Sequence, residues 1–235
     1  MMQDVARIAM WSGPRNISTA MMRSFENRAD AVVWDEPFYA HYLAETGLDH
    51  AMADEIIAAY ENDWRKVADK AVGPVPGGGA VFYQKHMTHH LLPHMAMDWL
   101  DGLMNAFLIR DPARVLASYI EKRAQVTLED LGLPQQQRLF EWTHERTGKV
   151  PLVLESDDVL ANPEGMLRAL CRRTGIAFDS AMLSWPVGRR GQRWSVGGTL
   201  VWRRGKIHWV RGFASCRQSR AGSSARALGI GPTLL

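Results

Sequence analysis

The chain has 235 residues, 46% of them hydrophobic and 23% charged, and a net charge of +3. That length and balance suit one α/β domain with a buried core, and no apolar run approaches the roughly 20 residues that a membrane-spanning helix needs. Cys171 and Cys216 make neither a disulfide framework nor a metal site, and the start of the chain lacks the basic, then long apolar pattern of a secretory signal, so the expected location is cytoplasmic.

Residues 7–11 read as a first strand, and the segment Trp11-Ser12-Gly13-Pro14-Arg15-Asn16-Ile17-Ser18-Thr19-Ala20 carries the chain from it into a helix over 17–27. A strand turning sharply into a helix leaves backbone N–H groups aimed at one spot, at the positive end of the helix dipole. That is a site for a phosphate, to which Arg15 adds a fork of donors and Ser18 and Thr19 add hydroxyls. The second glycine and the lysine of a Walker A loop are absent.

A second strand is expected at 31–35. It leads into Trp34-Asp35-Glu36-Pro37-Phe38, where the proline disfavours a helical backbone at Glu36 and predicts an extended one. Helices follow over 38–46 and 51–69. Gly73-Pro74-Val75-Pro76-Gly77-Gly78-Gly79 is a connector, since no helix starts directly after it. A third strand over 80–84 ends beside Lys85 and His86, and a helix is expected over 87–99. His86, His89, His90 and His94 have helical spacing with no cysteine nearby, so no metal is expected.

The fourth strand, 105–110, ends in Arg110-Asp111-Pro112. Pro112 suits a helix's first turn, Asp111 its N-cap, and Val115, Leu116, Tyr119 and Ile120 recur at helical spacing over 112–123. Arg110 at the strand's end and Ser118 two turns into that helix can meet on one anion. A helix over 134–147, a strand over 151–155 and a helix over 163–174 complete the pattern. Alternating strands and helices predict a mainly parallel sheet covered on both faces, with ligands beyond the strands' carboxyl ends. Arg15, Glu36, Lys85 and Arg110 all fall at those ends.

These motifs, with Leu152-Val153-Leu154-Glu155-Ser156 after them, resemble those of sulfotransferases that use 3′-phosphoadenosine-5′-phosphosulfate (PAPS). The likeness covers about residues 5–186. The wording of the first loop and of 34–38 is most similar to a small bacterial sulfotransferase-like group, whose plant relatives are sometimes labelled aminotransferase-like. No lysine motif for pyridoxal phosphate is present. The resemblance implies an α/β, three-layer P-loop-type fold with a mainly parallel central sheet flanked by helices.

It also implies roles. Arg15, Asn16, Ile17, Ser18 and Thr19 would hold the 5′-phosphate end of PAPS, and Arg110 and Ser118 its 3′-phosphate. Lys85 would face the leaving oxygen. The base that takes the acceptor's proton would be Glu36 or a histidine, His86 first among His86, His89 and His90. From their place at and after the end of the second strand, Tyr39, His41, Tyr42 and Trp34 are candidates for the acceptor pocket or for the core, and the expected acceptor is an alcohol on a small molecule or glycan. No nucleic-acid partner and no metal are expected. The alternatives are a P-loop nucleotide-binding protein without sulfotransferase activity, such as an inactive relative, or a kinase of small metabolites.

The domain is expected to end at residue 187. Residues 1–179 hold 18 basic and 25 acidic side chains, a net −7, whereas 180–235 hold ten basic ones and no carboxylate. From Gly188 on, periodicity is lost and a poorly ordered basic tail over 188–235 is expected. Codons compatible with Arg193–Trp202, read one base later, give Asp-Gly-Val-Trp-Gly-Ala-His-Trp-Tyr. Those compatible with residues 205–210 give Gly-Lys-Ser-Thr-Gly-Phe. Both resemble landmarks at the family's C-terminus, so a one-base frameshift near Gly188 is the expected origin of the tail.

Overall fold

A computed structural model of the protein describes residues 5–48, 50, 52–120, 127–185 and 207–208. Five strands form one parallel sheet: β1 (Ala6–Ser12), β2 (Ala31–Asp35), β3 (Val81–Met87), β4 (Met104–Ile109) and β5 (Leu152–Glu155). Their order is β2-β3-β1-β4-β5. The helices are α1 (Ser18–Glu26), α2 (Tyr39–Thr46), α3 (Ala53–Ala59), α4 (Trp64–Val72), α5 (Pro112–Ile120), α6 (Leu128–Leu131), α7 (Leu133–Thr147), α8 (Ser156–Ala161) and α9 (Pro163–Arg173). A short pair, β6 (Ser184–Trp185) with β7 (Ile207–His208), is antiparallel.

The alternation of β1 divides the core between the sheet's faces. Ile8 and Met10 pack with Met21, Met22 and Phe25 of α1, Val159 of α8 and Leu167 and Leu170 of α9. Ala9 and Trp11 pack on the other face with Trp64 and Val67 of α4 and Leu139 of α7. Helices thus cover both faces, as the sequence predicts. A smaller cluster joins Ala40 and Leu43 of α2 to Ile56 of α3.

Two predicted helices differ. The one expected over 51–69 is two, α3 and α4, because Asp63 accepts from Arg65 N at 2.9 Å and starts a new helix after Tyr60 has turned extended. The one expected over 87–99 is no α-helix. β3 runs on to Met87, and 3₁₀ turns follow at Thr88–His90 and Asp98–Gly102. Leu91 N bonds to Thr88 O and Met95 N to Leu92 O, three residues back, and Pro93 has no N–H for a helix. Of the helix expected over 112–123, residues 121–123 lie outside the described residues, as does the expected tail over 188–235 apart from Ile207 and His208.

Strand order places the crevice. The chain leaves β1 through α1 toward the β2 edge and leaves β4 through α5 toward the β5 edge. Adjacent strands whose exits diverge open a gap between their carboxyl ends, where α/β sheets bind ligands. Arg15 follows β1 and Arg110 follows β4.

Candidate functional site

The loop after β1 is braced from three sides. Gly13 lies so close to the carbonyl of Leu131 that an added Cβ would sit 2.5 Å from it. Asn16 Nδ2 donates to the Leu108 carbonyl at 3.0 Å, and its Oδ1 accepts from Ile17 N at 2.8 Å. The Ser156 hydroxyl lies within hydrogen-bond reach of Asn16 Oδ1 and of the Ile109 carbonyl, the latter at 2.7 Å. Gln136 Nε2 donates to the carbonyls of Trp11 (3.3 Å) and Leu108 (3.2 Å), joining the ends of β1 and β4 from the other face.

Helix α1 opens with Ile17 as its N-cap, and no side chain of that residue caps it. The first-turn N–H groups therefore keep their capacity for an anion. Ser18 is buried at 5% exposure, while Thr19 is half-buried.

Arg15, Arg110 and Ser118 meet. Arg15 adopts a left-handed backbone with φ 58°, uncommon outside glycine. Its Nε donates to Ser118 Oγ at 2.9 Å, and its carbonyl accepts from Arg110 Nη1 at 2.5 Å. Asp111 accepts from Ala113 N at 2.8 Å at the start of α5 instead of pairing with Arg110.

The second group lies at the ends of β2 and β3. Asp35 and Lys85 are neighbours in the parallel register, so both project from one face. Lys85, 3% exposed, donates to Asp35 Oδ1 at 2.8 Å and forms a second ion pair with Glu36 Oε1. Burial alone would pull the Lys85 ammonium down, but the carboxylates of Glu36 and Asp35 outweigh it and hold its pKa above the usual lysine range. Burial pushes Asp35 above the ordinary aspartate value; Lys85 opposes this and the neighbouring Glu36 charge adds to it. One cation is shared by two carboxylates.

Glu36 departs from the extended backbone expected before proline. Its φ is 47°, held by a bond from its N–H to the Lys85 carbonyl (2.9 Å), by Tyr39 N donating to its carbonyl (3.0 Å), and by the ion pair. Non-glycine residues in such backbone cluster at functional sites.

His86 does not join this group. One residue beyond Lys85 on β3, it projects from the opposite face, 1% exposed, stacked on Trp11 at 4.3 Å and near Phe38 and Trp99. Gln84 Nε2 is spent on the Ala71 carbonyl (2.7 Å), so its Oε1 accepts from His86 Nε2 (3.1 Å), which fixes the tautomer. Burial, with Lys85 adding to it, pushes the His86 pKa down to about 3. His90 is also buried and pushed well below the usual range, and its ring packs between Tyr39 (5.1 Å) and Tyr42 (4.8 Å).

Of the expected pocket residues, Tyr39 and Tyr42 are half-buried beside that histidine. His41 is buried, bonded to the Asn62 carbonyl and to His94 Nε2 (3.2 Å). Trp34 lies on the far face from Lys85, stacked with Phe82 and under Lys70. Asp35, Gln136 and Ser156 escaped the sequence reading. Only Asp35 left a signal, since a residue one before Glu36 shares the face of Lys85 once β2 pairs with β3.

Comparison with known proteins places the chain in a family. The sulfotransferase domain family matches residues 6–219. Two Arabidopsis thaliana proteins, branched-chain-amino-acid aminotransferase-like proteins 2 and 1, are 33% and 31% identical over 181 and 210 residues, 77% and 88% of this chain. The chain spans about a third of the length of these relatives (32% and 36%). The sulfotransferase domain of the curacin biosynthetic pathway superposes with a TM-score of 0.52 at 14% identity, covering 83% of this chain and 81% of that one. The sulfotransferase domain of the Synechococcus PCC 7002 olefin synthase gives 0.50 at 18% identity, with 77% of each chain covered. These two likenesses show the fold, and with the family match over most of its length, the chain belongs to the sulfotransferase domain family.

Proposed function

We propose that the protein transfers a sulfuryl group from PAPS to a hydroxyl of a small molecule or glycan in the cytoplasm. The observation that carries this is the meeting of Arg15, Arg110 and Ser118 in the crevice between β1 and β4, beside the uncapped N-terminus of α1. The residues fit a nucleotide with two anionic ends: Arg110 and the Ser118 hydroxyl at one, Arg15, the helix N–H groups and a lysine at the other. PAPS, when bound, supplies an activated sulfuryl group on a phosphate leaving group.

In this reading Glu36 takes the acceptor's proton as the acceptor oxygen bonds to sulfur and the bond from sulfur to the bridging oxygen breaks. Lys85 stays charged throughout the neutral range and stabilises the charge gathering on that leaving oxygen. Glu36 is occupied by Lys85 in the resting site. A turn of the ammonium toward the leaving oxygen frees the carboxylate, while Asp35 keeps its hold on the lysine. Glu36 is preferred to His86 because His86 is buried on the other face of the sheet.

The test is release of 3′-phosphoadenosine 5′-phosphate from PAPS with a panel of sugars, phenols and aliphatic alcohols, the sulfated product followed by mass. Glu36→Gln is expected to lower kcat by about 10²-fold or more with nucleotide affinity kept. Phosphoryl transfer from ATP with Mg²⁺, without sulfuryl transfer, would replace this reading with that of a kinase.

A further inference from the structure

We propose that the protein carries a second ligand site, at the amino ends of β4 and β5, for an organic anion with an apolar body. The strands are parallel, so this site lies at the end of the sheet opposite the crevice between β1 and β4. It stands whether or not that crevice takes PAPS.

A cavity of about 510 Å³ opens there, a size that suits a small organic molecule. Met104, which opens β4, and Pro151, one residue before β5, line it with Leu103 and Trp142. Val150 is also in the lining, and at 68% it is more exposed than any other large hydrophobic side chain described. The neutral polar groups of the lining are spent within the protein. Asn105 Nδ2 donates to the Leu100 carbonyl and its Oδ1 accepts from Trp11 Nε1, both at 3.0 Å. The hydroxyls of Thr143 and Thr147 donate to the carbonyls of Leu139 (2.8 Å) and Thr143 (2.7 Å). Arg146, Lys149 and Arg173 bring positive charge to the same space. Arg146 is compensated, donating to Asp101 Oδ2 from Nη2 at 2.7 Å and from Nε at 2.9 Å. Lys149 and Arg173 pair with no carboxylate among the described residues. The cavity therefore offers a ligand apolar surface and two unspent charges. A carboxylate, sulfonate or sulfate ester on an apolar body uses both, burying the body against Trp142 and Met104 and bringing its charge to Lys149 and Arg173. A neutral molecule forfeits the charges, and an inorganic anion forfeits the apolar area.

The test is fluorescence titration of the full chain with 1-anilinonaphthalene-8-sulfonate and with its uncharged counterpart, N-phenyl-1-naphthylamine. The wild type should bind the sulfonate about 10-fold more tightly than the uncharged dye. Lys149→Glu and Arg173→Glu should each weaken the sulfonate by about 10-fold and the uncharged dye by less than about twofold. The neutral variants Lys149→Met and Arg173→Met, at exposed positions where they guard against misfolding, should repeat the loss at about threefold. Lys66→Glu makes the same charge change on α4, away from the cavity, and should alter sulfonate binding by less than about twofold. Saturating 3′-phosphoadenosine 5′-phosphate should leave the dye bound. Displacement by that nucleotide would put the dye in the crevice and overturn the proposal. Sulfonate affinity unchanged in every Lys149 and Arg173 variant would confine those cations to the carboxyl ends of α7 and α9 and overturn it as well, as would a wild type that binds no sulfonate.

Discussion

Lys85 Nζ donates to Asp35 Oδ1 at 2.8 Å and also pairs with Glu36, so one nearly buried ammonium is held by two carboxylates. Removing the cation leaves two carboxylates facing each other, with side-chain exposures of only 18% and 26%. Lys85→Met is therefore expected to cost about 3–5 kcal/mol of stability at neutral pH. Urea unfolding checks this. The loss should shrink as pH falls and Asp35, already raised by burial, takes up a proton.

The buried histidines predict an acid limb. The pKa of His86 is depressed in the fold to about 3 from an ordinary value near 6.5, and His90 is depressed as well. The unfolded chain therefore binds protons that the native one refuses. Stability from these groups is complete above about pH 6.5 and is lost as pH falls toward 3, at about 1.4 kcal/mol per pH unit for each histidine. Unfolding midpoints measured between pH 7 and 4 should show this slope, and His86→Gln should make it shallower by one histidine's share.

Lys85 works in the opposite direction. Its folded pKa is raised, so the stability it contributes is complete below about 10.5 and is lost only as pH rises through the higher folded value. Base titration of the wild type should therefore show no loss from this group in the neutral range, and Lys85→Met should remove its alkaline limb.

Strain at Arg15 predicts a difference between two small residues. A left-handed backbone costs a residue with a Cβ about 1–2 kcal/mol. Thermal melts should find Arg15→Gly more stable than Arg15→Ala by about 1 kcal/mol, although both lose the guanidinium. At Gly13 the constraint is space. Gly13→Ala drives a methyl into the Leu131 carbonyl and should cost about 1–3 kcal/mol.

The basic stretch beyond Gly188 is proposed to be a frameshifted replacement of the natural C-terminus. Independent reads of the gene around that codon should show a one-base insertion or deletion relative to a frame that restores Asp-Gly-Val-Trp and His-Trp-Tyr. An intact frame in every read would end that proposal.

The sheet was legible because its strands are short apolar runs closed by residues with a chemical task, as in β2 ending at Asp35 and β4 ending before Arg110. The approach of Arg15 and Arg110 to each other was legible for the same reason: they follow the carboxyl ends of β1 and β4, and Ser118 lies on the helix after Arg110. What failed were positions decided by distant partners. Thr88 donates to the Gly132 carbonyl at 2.9 Å, drawing the chain after β3 into 3₁₀ turns where apolar spacing alone suggested a helix. Glu36 is turned left-handed by bonds to Lys85 and Tyr39 that outweigh the local preference of a residue before proline. His86 sits beside Lys85 in sequence, but alternation in β3 puts it on the other face, and only the extension of that strand to Met87 shows this.

In the proposed reading the crevice between β1 and β4 grips both phosphates of one adenosine. Isothermal titration of the wild type and of Arg110→Ala with 3′-phosphoadenosine 5′-phosphate and with adenosine 5′-phosphate tests it most directly. The wild type should bind the bisphosphate more tightly, by about 10-fold or more, and the variant should lose that preference. Equal affinities in the wild type, or a preference that survives Arg110→Ala, would contradict it.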